Sequence, residues 1–120
     1  MLILLATILT GCELLNTKPL GTQDAACELR PTRGQCTDIR DFPGPSLLTF
    51  QSLCETLIAA EGGGEYLEGE ICDTTDSWGG CQSESLDGTL QTNWYFPEDY
   101  ATLEEAQSEC SGDQVWVDPA

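Results

Sequence analysis

Six cysteines, Cys27, Cys36, Cys54, Cys72, Cys81 and Cys110, in a 120-residue chain without a histidine constrain the fold more than any other feature. An even set in a small exported domain reads as a disulfide framework. Zinc, the competing use of cysteine, is disfavoured because no CxxC pair exists and no histidine could complete a site. Three bridges are therefore expected, each stabilising such a domain by about 2–5 kcal/mol, comparable with its whole net stability. A seventh cysteine, Cys12, stands apart at the end of an apolar run.

The spacing suggests two degenerate copies of one unit. Cys27 to Cys36 and Cys72 to Cys81 are each nine residues apart, with glycine closely preceding the second cysteine in Gly34-Gln35-Cys36 and Gly79-Gly80-Cys81. Leu47, Phe50 and Cys54 fall at i, i+3 and i+7, and Leu103, Ala106 and Cys110 repeat the pattern on a second expected helix. Glycine and an aromatic segment follow each, in Gly64-Glu65-Tyr66-Leu67 and Gly112-Asp113-Gln114-Val115-Trp116-Val117. Three cysteines per copy cannot all pair within it, so full oxidation requires at least one bridge between the halves. Of fifteen connectivities, the favoured one joins Cys27 to Cys72, Cys36 to Cys54 and Cys81 to Cys110.

Residues 2–9 are an uncharged apolar run of secretory-signal length, too short to cross a bilayer as a helix. The run closes on Leu9-Thr10-Gly11-Cys12, which resembles the lipobox of bacterial lipoproteins cleaved by signal peptidase II. That resemblance implies cleavage between Gly11 and Cys12, a lipid thioether on Cys12 and usually acylation of the new amino group. Two or three acyl chains anchor far more durably than one. Glu13 stands where enteric lipoproteins retained in the inner membrane carry Asp. The resemblance therefore implies outer-membrane delivery, on the periplasmic or the surface face. No Lys or Arg precedes the run, so either the start lies upstream or the terminal amine supplies the positive charge. The expected order is a signal peptide over 1–11, a flexible tether over 12–26 holding Lys18, Pro19 and Gly21, and a stapled domain over 27–118. That domain resembles small cysteine-rich lipoproteins of uncharacterised function.

Four basic against 21 acidic residues give a net charge of −17. Such a field repels nucleic-acid phosphates and anionic headgroups, so the cell envelope is reached through the lipid and no nucleic-acid partner is expected. All nine aromatic residues lie between Phe42 and Trp116, where a thin core can form. Helix periodicity runs from Ser46, read as N-cap, through Leu47, Phe50, Leu53, Cys54, Leu57 and Ile58 to Glu61, with Gly62 as the stop. Thr102-Leu103-Glu104-Glu105 fits a capping box opening a shorter helix. Between them Asp87-Gly88 predicts a two-residue hairpin turn with Cys81 opposite Trp94 and Ser85 opposite Leu90. Leu90, Thr92, Trp94 and Phe96 then share the face expected to meet the helices, and Gln91, Asn93 and Tyr95 point to solvent or a partner. The fold class is α+β, an antiparallel sheet with two helices on one face.

Catalysis by a nucleophile with a histidine base is excluded, because there is no histidine. Carboxylates are the remaining acid–base groups, densest over Glu61, Glu65, Glu68, Glu70, Asp73 and Asp76. This stretch reads first as a solvated acidic surface. It could also bind divalent cations weakly, although it matches no EF-hand loop, or supply the two carboxylates of a glycan hydrolase. Gly62-Gly63-Gly64 lacks a following lysine and is no phosphate loop. Trp78, Tyr95 and Tyr100 are candidates for protein or glycan contact, against the simpler reading of a tryptophan packed on a disulfide. The sequence calls for no cofactor. Its features add up to a lipid-anchored, non-catalytic binding or structural domain.

Overall fold

The computed structural model describes residues 21–119; the signal peptide, Cys12 and the first part of the expected tether lie outside the described residues. Six strands, β1 (Gln23–Glu28), β2 (Gln35–Phe42), β3 (Glu65–Glu68), β4 (Gly79–Glu84), β5 (Leu90–Tyr95) and β6 (Val115–Val117), form one antiparallel sheet. Their order is β3-β1-β2-β5-β4-β6. Helix α1 (Gly44–Glu61) joins β2 to β3, and the short α2 (Leu103–Gln107) lies between β5 and β6. Residues 23–26, expected in the tether, are strand β1, with Ala25 and Ala26 fully buried at the centre of the domain. Two small alanines between polar neighbours carry no periodic signal, but small side chains are what a strand flanked on both edges can bury.

Strand register fixes the layers. One row runs across all six strands on one face: Tyr66, Cys27, Thr37, Asn93, Cys81 and Trp116. Cys27 bonds Cys54 of α1, and Cys81 bonds Cys110 just beyond α2, so both helices sit on that face, as the sequence implies. Leu47, Phe50 and Cys54 of α1 bury against Ala25, Cys27, Leu29 and Ile39. The reverse face buries Ala26, Cys36, Trp94 and Phe96 beneath the connection over residues 69–78, which contributes Cys72. Asp38, fully buried there, accepts hydrogen bonds at Oδ2 from the Cys72 N–H and from Trp94 Nε1, each at 3.0 Å. Arg30 donates to the Asp73 carbonyl at 3.1 Å and lays its guanidinium 3.6 Å above the Phe96 ring, closing that layer.

Two of the three favoured bridges are corrected: the pairs are Cys27–Cys54, Cys36–Cys72 and Cys81–Cys110. Side-chain parity is the reason. Cys27 pairs with Thr37 across β1 and β2, so Cys36 points to the opposite face and cannot reach α1. The cysteine of α1 takes Cys27, and Cys36 takes Cys72 from the connection behind. Cys36–Cys72 is the bridge between halves that the odd cysteine count requires.

The hairpin is corrected by one residue. Its loop is Leu86-Asp87-Gly88, closed by Gly88 N–H to the Ser85 carbonyl and Ser85 N–H to the Thr89 carbonyl, each at 3.0 Å, with Gly88 at φ 87°. A three-residue loop with left-handed glycine replaces the two-residue turn. Cys81 therefore faces Asn93, and Trp94 faces Gly80. Leu90, Thr92, Trp94 and Phe96 do share a face, but it is the reverse face, while Gln91, Asn93 and Tyr95 lie on the helix side. A slip of one residue exchanges the two faces.

Helix α1 begins at Gly44, ahead of the expected Ser46, with Pro43 as N-cap and no side-chain cap. Pro45 in the first turn costs no bond, since first-turn N–H groups lack helical partners. At α2 Thr102 caps the helix, its Oγ1 accepting from Glu105 N–H at 3.1 Å, while Glu105 Oε2 accepts from the Ala101 N–H at 3.2 Å, one residue before the position the reciprocal bond of a capping box uses. The nine-residue spacing has no counterpart in the fold, because Cys27 and Cys36 lie in strands and Cys72 in none. The element order ββαβ occurs twice, as β1-β2-α1-β3 and β4-β5-α2-β6, and exchanging the two sets leaves the sheet order unchanged.

Candidate binding groove

Helix α1 packs over β1 and β3 and reaches Ile39 of β2, and α2 stands over β4, which leaves the middle of the central strands, at Gln35, Thr37, Gln91 and Asn93, partly open on the helix side. The gap is a groove. One hollow of about 290 Å³ is walled by Phe50, Leu53 and Leu57 of α1 and floored by Gln35, Thr37, Gln91 and Asn93. A second, of about 220 Å³, continues it past Phe42, Ser46 and Thr49, sharing Phe50, Leu53 and Gln91 with the first. Leu53 and Leu57 belong to the expected apolar stripe of α1 yet remain 59% and 46% exposed, because nothing described covers them.

The floor is uncharged. Thr37 Oγ1 donates to Asn93 Oδ1 at 2.7 Å, linking β2 to β5 at the middle of the sheet. At one end Arg33 Nη1 donates to Glu61 Oε1 at 3.0 Å, and this bond raises the arginine above its already high ordinary value. The two charges lining the groove thus neutralise each other. Around it the described chain is strongly acidic, and no described helix is long and apolar enough to cross a membrane.

The sequence-derived candidates Trp78, Tyr95 and Tyr100 do come together, around the Cys81–Cys110 bridge with Ala106 and Trp116. Their role there is packing. Trp78 Nε1 donates to the Tyr100 carbonyl at 2.7 Å, and the two tyrosine rings meet edge-on at 4.9 Å. The expectation that Tyr95 faces solvent is corrected: it is 5% exposed, since the hairpin register turns it under the helix-side layer. Burial pushes its phenol up to about 12, with Tyr100 and Glu109 adding to the effect. Burial, then Glu109, raises Tyr100 as well, so both keep their protons as neutral donors.

The acidic stretch is not gathered into one place. Glu61 lines the groove, Glu65 and Glu68 lie on edge strand β3, and Glu70, Asp73 and Asp76 belong to the connection on the reverse face. Among the described residues no group of three His, Cys, Asp or Glu could hold a metal ion. Asp73 sits below the usual carboxylate range because it accepts from Thr75. The groove's lining holds one carboxylate, and it is paired. What the lining offers is side-chain amides, hydroxyls and aliphatic surface. Sequence reasoning turned Gln91 and Asn93 to solvent or a partner on the face away from the helices, whereas the register puts them on the helix side, and it had no signal for Gln35, Thr37 or Arg33, which long-range pairing alone brings beside them.

Comparison with known protein families, curated proteins and solved structures finds no match to this chain.

Proposed function

We propose that the chain is a lipid-anchored envelope protein, cleaved after Gly11 and acylated at Cys12, whose domain serves as a non-catalytic binding module. The observation that carries it is the lipobox-like Leu9-Thr10-Gly11-Cys12, closing an apolar run eleven residues before strand β1 begins at Gln23. Three disulfides suit an oxidising compartment, and Glu13 favours the outer membrane. The groove between α1 and the central strands is the surface for a partner. The corresponding halves, each ββαβ, are read as degenerate copies of one ancestral unit.

Cys12→Ser tests the anchor. The variant should leave the membrane fraction and accumulate as uncleaved precursor; membrane fractionation identical to the parent rejects the assignment. A pull-down from envelope extract, with the chain carrying Cys12→Ser as bait and the same chain with Leu53→Ser and Leu57→Ser as control, identifies what the groove retains.

A further inference from the structure

We propose that the groove takes an extended, positively charged peptide segment, aliphatic side chains against Leu53 and Leu57 and main-chain amides over Gln35, Gln91 and Asn93, an inference resting on the binding-module reading. Shape is the first argument. Ser46 and Thr49 of α1 stand by Phe42 at one end of β2, and Glu61 meets Arg33 just before the other end, so the helix runs back along the strand. The channel between them follows β2 for about 20 Å, at about 3.3 Å per residue, which suits an elongated occupant. Leu53 and Leu57 are one turn apart, about 6 Å along the helix, close to the spacing of about 6.7 Å between alternate side chains of an extended chain.

Chemistry is the second argument. The main-chain groups of β2 and β5 are taken up by sheet pairing on both edges, so recognition falls to side chains. Gln35 and Gln91 each present an amide with donors and an acceptor, the complement of a peptide group, and Asn93, whose Oδ1 already accepts from Thr37, adds its amide donors. A glycan would call for an open aromatic platform, and of the two rings in the lining Phe50 is 9% exposed and Phe42 is partly buried against the core. Charge is the third. The lining is neutral through Arg33–Glu61, and Arg30 is likewise paired with Glu28, while the chain as a whole carries −17. A cationic segment is drawn to such a surface, and an anionic one is repelled.

The test uses the full chain in neutral detergent and a fluorescein-labelled octapeptide of alternating leucine and lysine, read by anisotropy at physiological salt. The comparison probes are an octapeptide alternating leucine with glutamate, one with the same leucines and lysines in two blocks, and a chitin tetrasaccharide. The alternating cationic peptide should bind, and Leu53→Ser with Leu57→Ser should weaken it about tenfold or more, as loss of two aliphatic contacts implies. Leu48→Ser, on the same helix but outside the groove and 67% exposed, should leave affinity unchanged. Unaltered thermal unfolding of both variants shows that the fold is kept. Equal binding of the blocked peptide, an equal loss in Leu48→Ser, no peptide binding, or groove-dependent binding of the tetrasaccharide overturns the proposal. If peptides fail while the envelope pull-down still shows a groove-dependent partner, the binding-module reading stands and the peptide class falls.

Discussion

Asp38 is the residue with most at stake in the domain. Its carboxyl is fully buried, Oδ2 holds the Cys72 N–H and Trp94 Nε1, and Oδ1 has no hydrogen-bond partner. Burial raises its pKa from 3.8, the hydrogen bonds from Cys72 and Trp94 and the charge of Arg40 opposing. A carboxyl raised in the folded state favours folding once protonated, so its contribution is fully present below about 3.8 and is lost as pH rises through the folded value. Asp38→Asn keeps an acceptor for both donors and removes the charge. Its unfolding free energy should exceed the parent's at pH 7, with the difference falling steadily with pH and levelling off below about 3.8; a constant difference across that range contradicts the account. Gly79 is constrained by space: at φ 137°, an added Cβ would lie 2.4 Å from the Trp116 ring and 2.6 Å from the Val117 carbonyl. Gly79→Ala should cost about 2 kcal/mol or more in chemical denaturation, because edge strand β6 must move away.

At the scale of elements, α1 gains its stability from one narrow stripe. Phe50 is buried against the sheet and meets Tyr66 with ring centroids 6.3 Å apart. Phe50→Ala should therefore cost about 3–5 kcal/mol by denaturant unfolding, while Leu48→Ser on the outer face should stay within about 0.5 kcal/mol. The existence of both helices and the Thr102 cap of α2 were legible from 3.6-residue periodicity and from the Thr102-Leu103-Glu104-Glu105 pattern, because these are local properties. The start of α1 was not, since Gly44 carries no side-chain signal and the helix is held there by the Pro43 carbonyl accepting from Leu47 N–H. Asp87-Gly88 marked the hairpin correctly, but whether two or three residues make the loop depends on which face the strands must bury. That choice decided where Tyr95 points, and so removed it from the surface.

For the whole molecule, three cross-links close loops of 27, 36 and 29 residues. Each is worth about 3–4 kcal/mol of chain entropy, so together they match the net stability of an ordinary domain, about 5–15 kcal/mol. Thiol reduction should thus unfold the domain at physiological temperature, followed as loss of near-ultraviolet circular dichroism; a retained signal with all six thiols free would show that the thin core suffices. Non-reducing peptide mapping should recover Cys27 with Cys54, Cys36 with Cys72 and Cys81 with Cys110. The sequence by itself determined the α+β class, the six bridging cysteines, the need for a bridge between halves, and the two helices on one face, since counts and periodicities are carried residue by residue. Only the tertiary structure decided which cysteine meets which, which face of β5 lies under the helices, and that an open groove runs between them. Those outcomes turn on strand register, where a shift of one residue reverses every side chain, and register is settled by contacts between segments far apart in the chain.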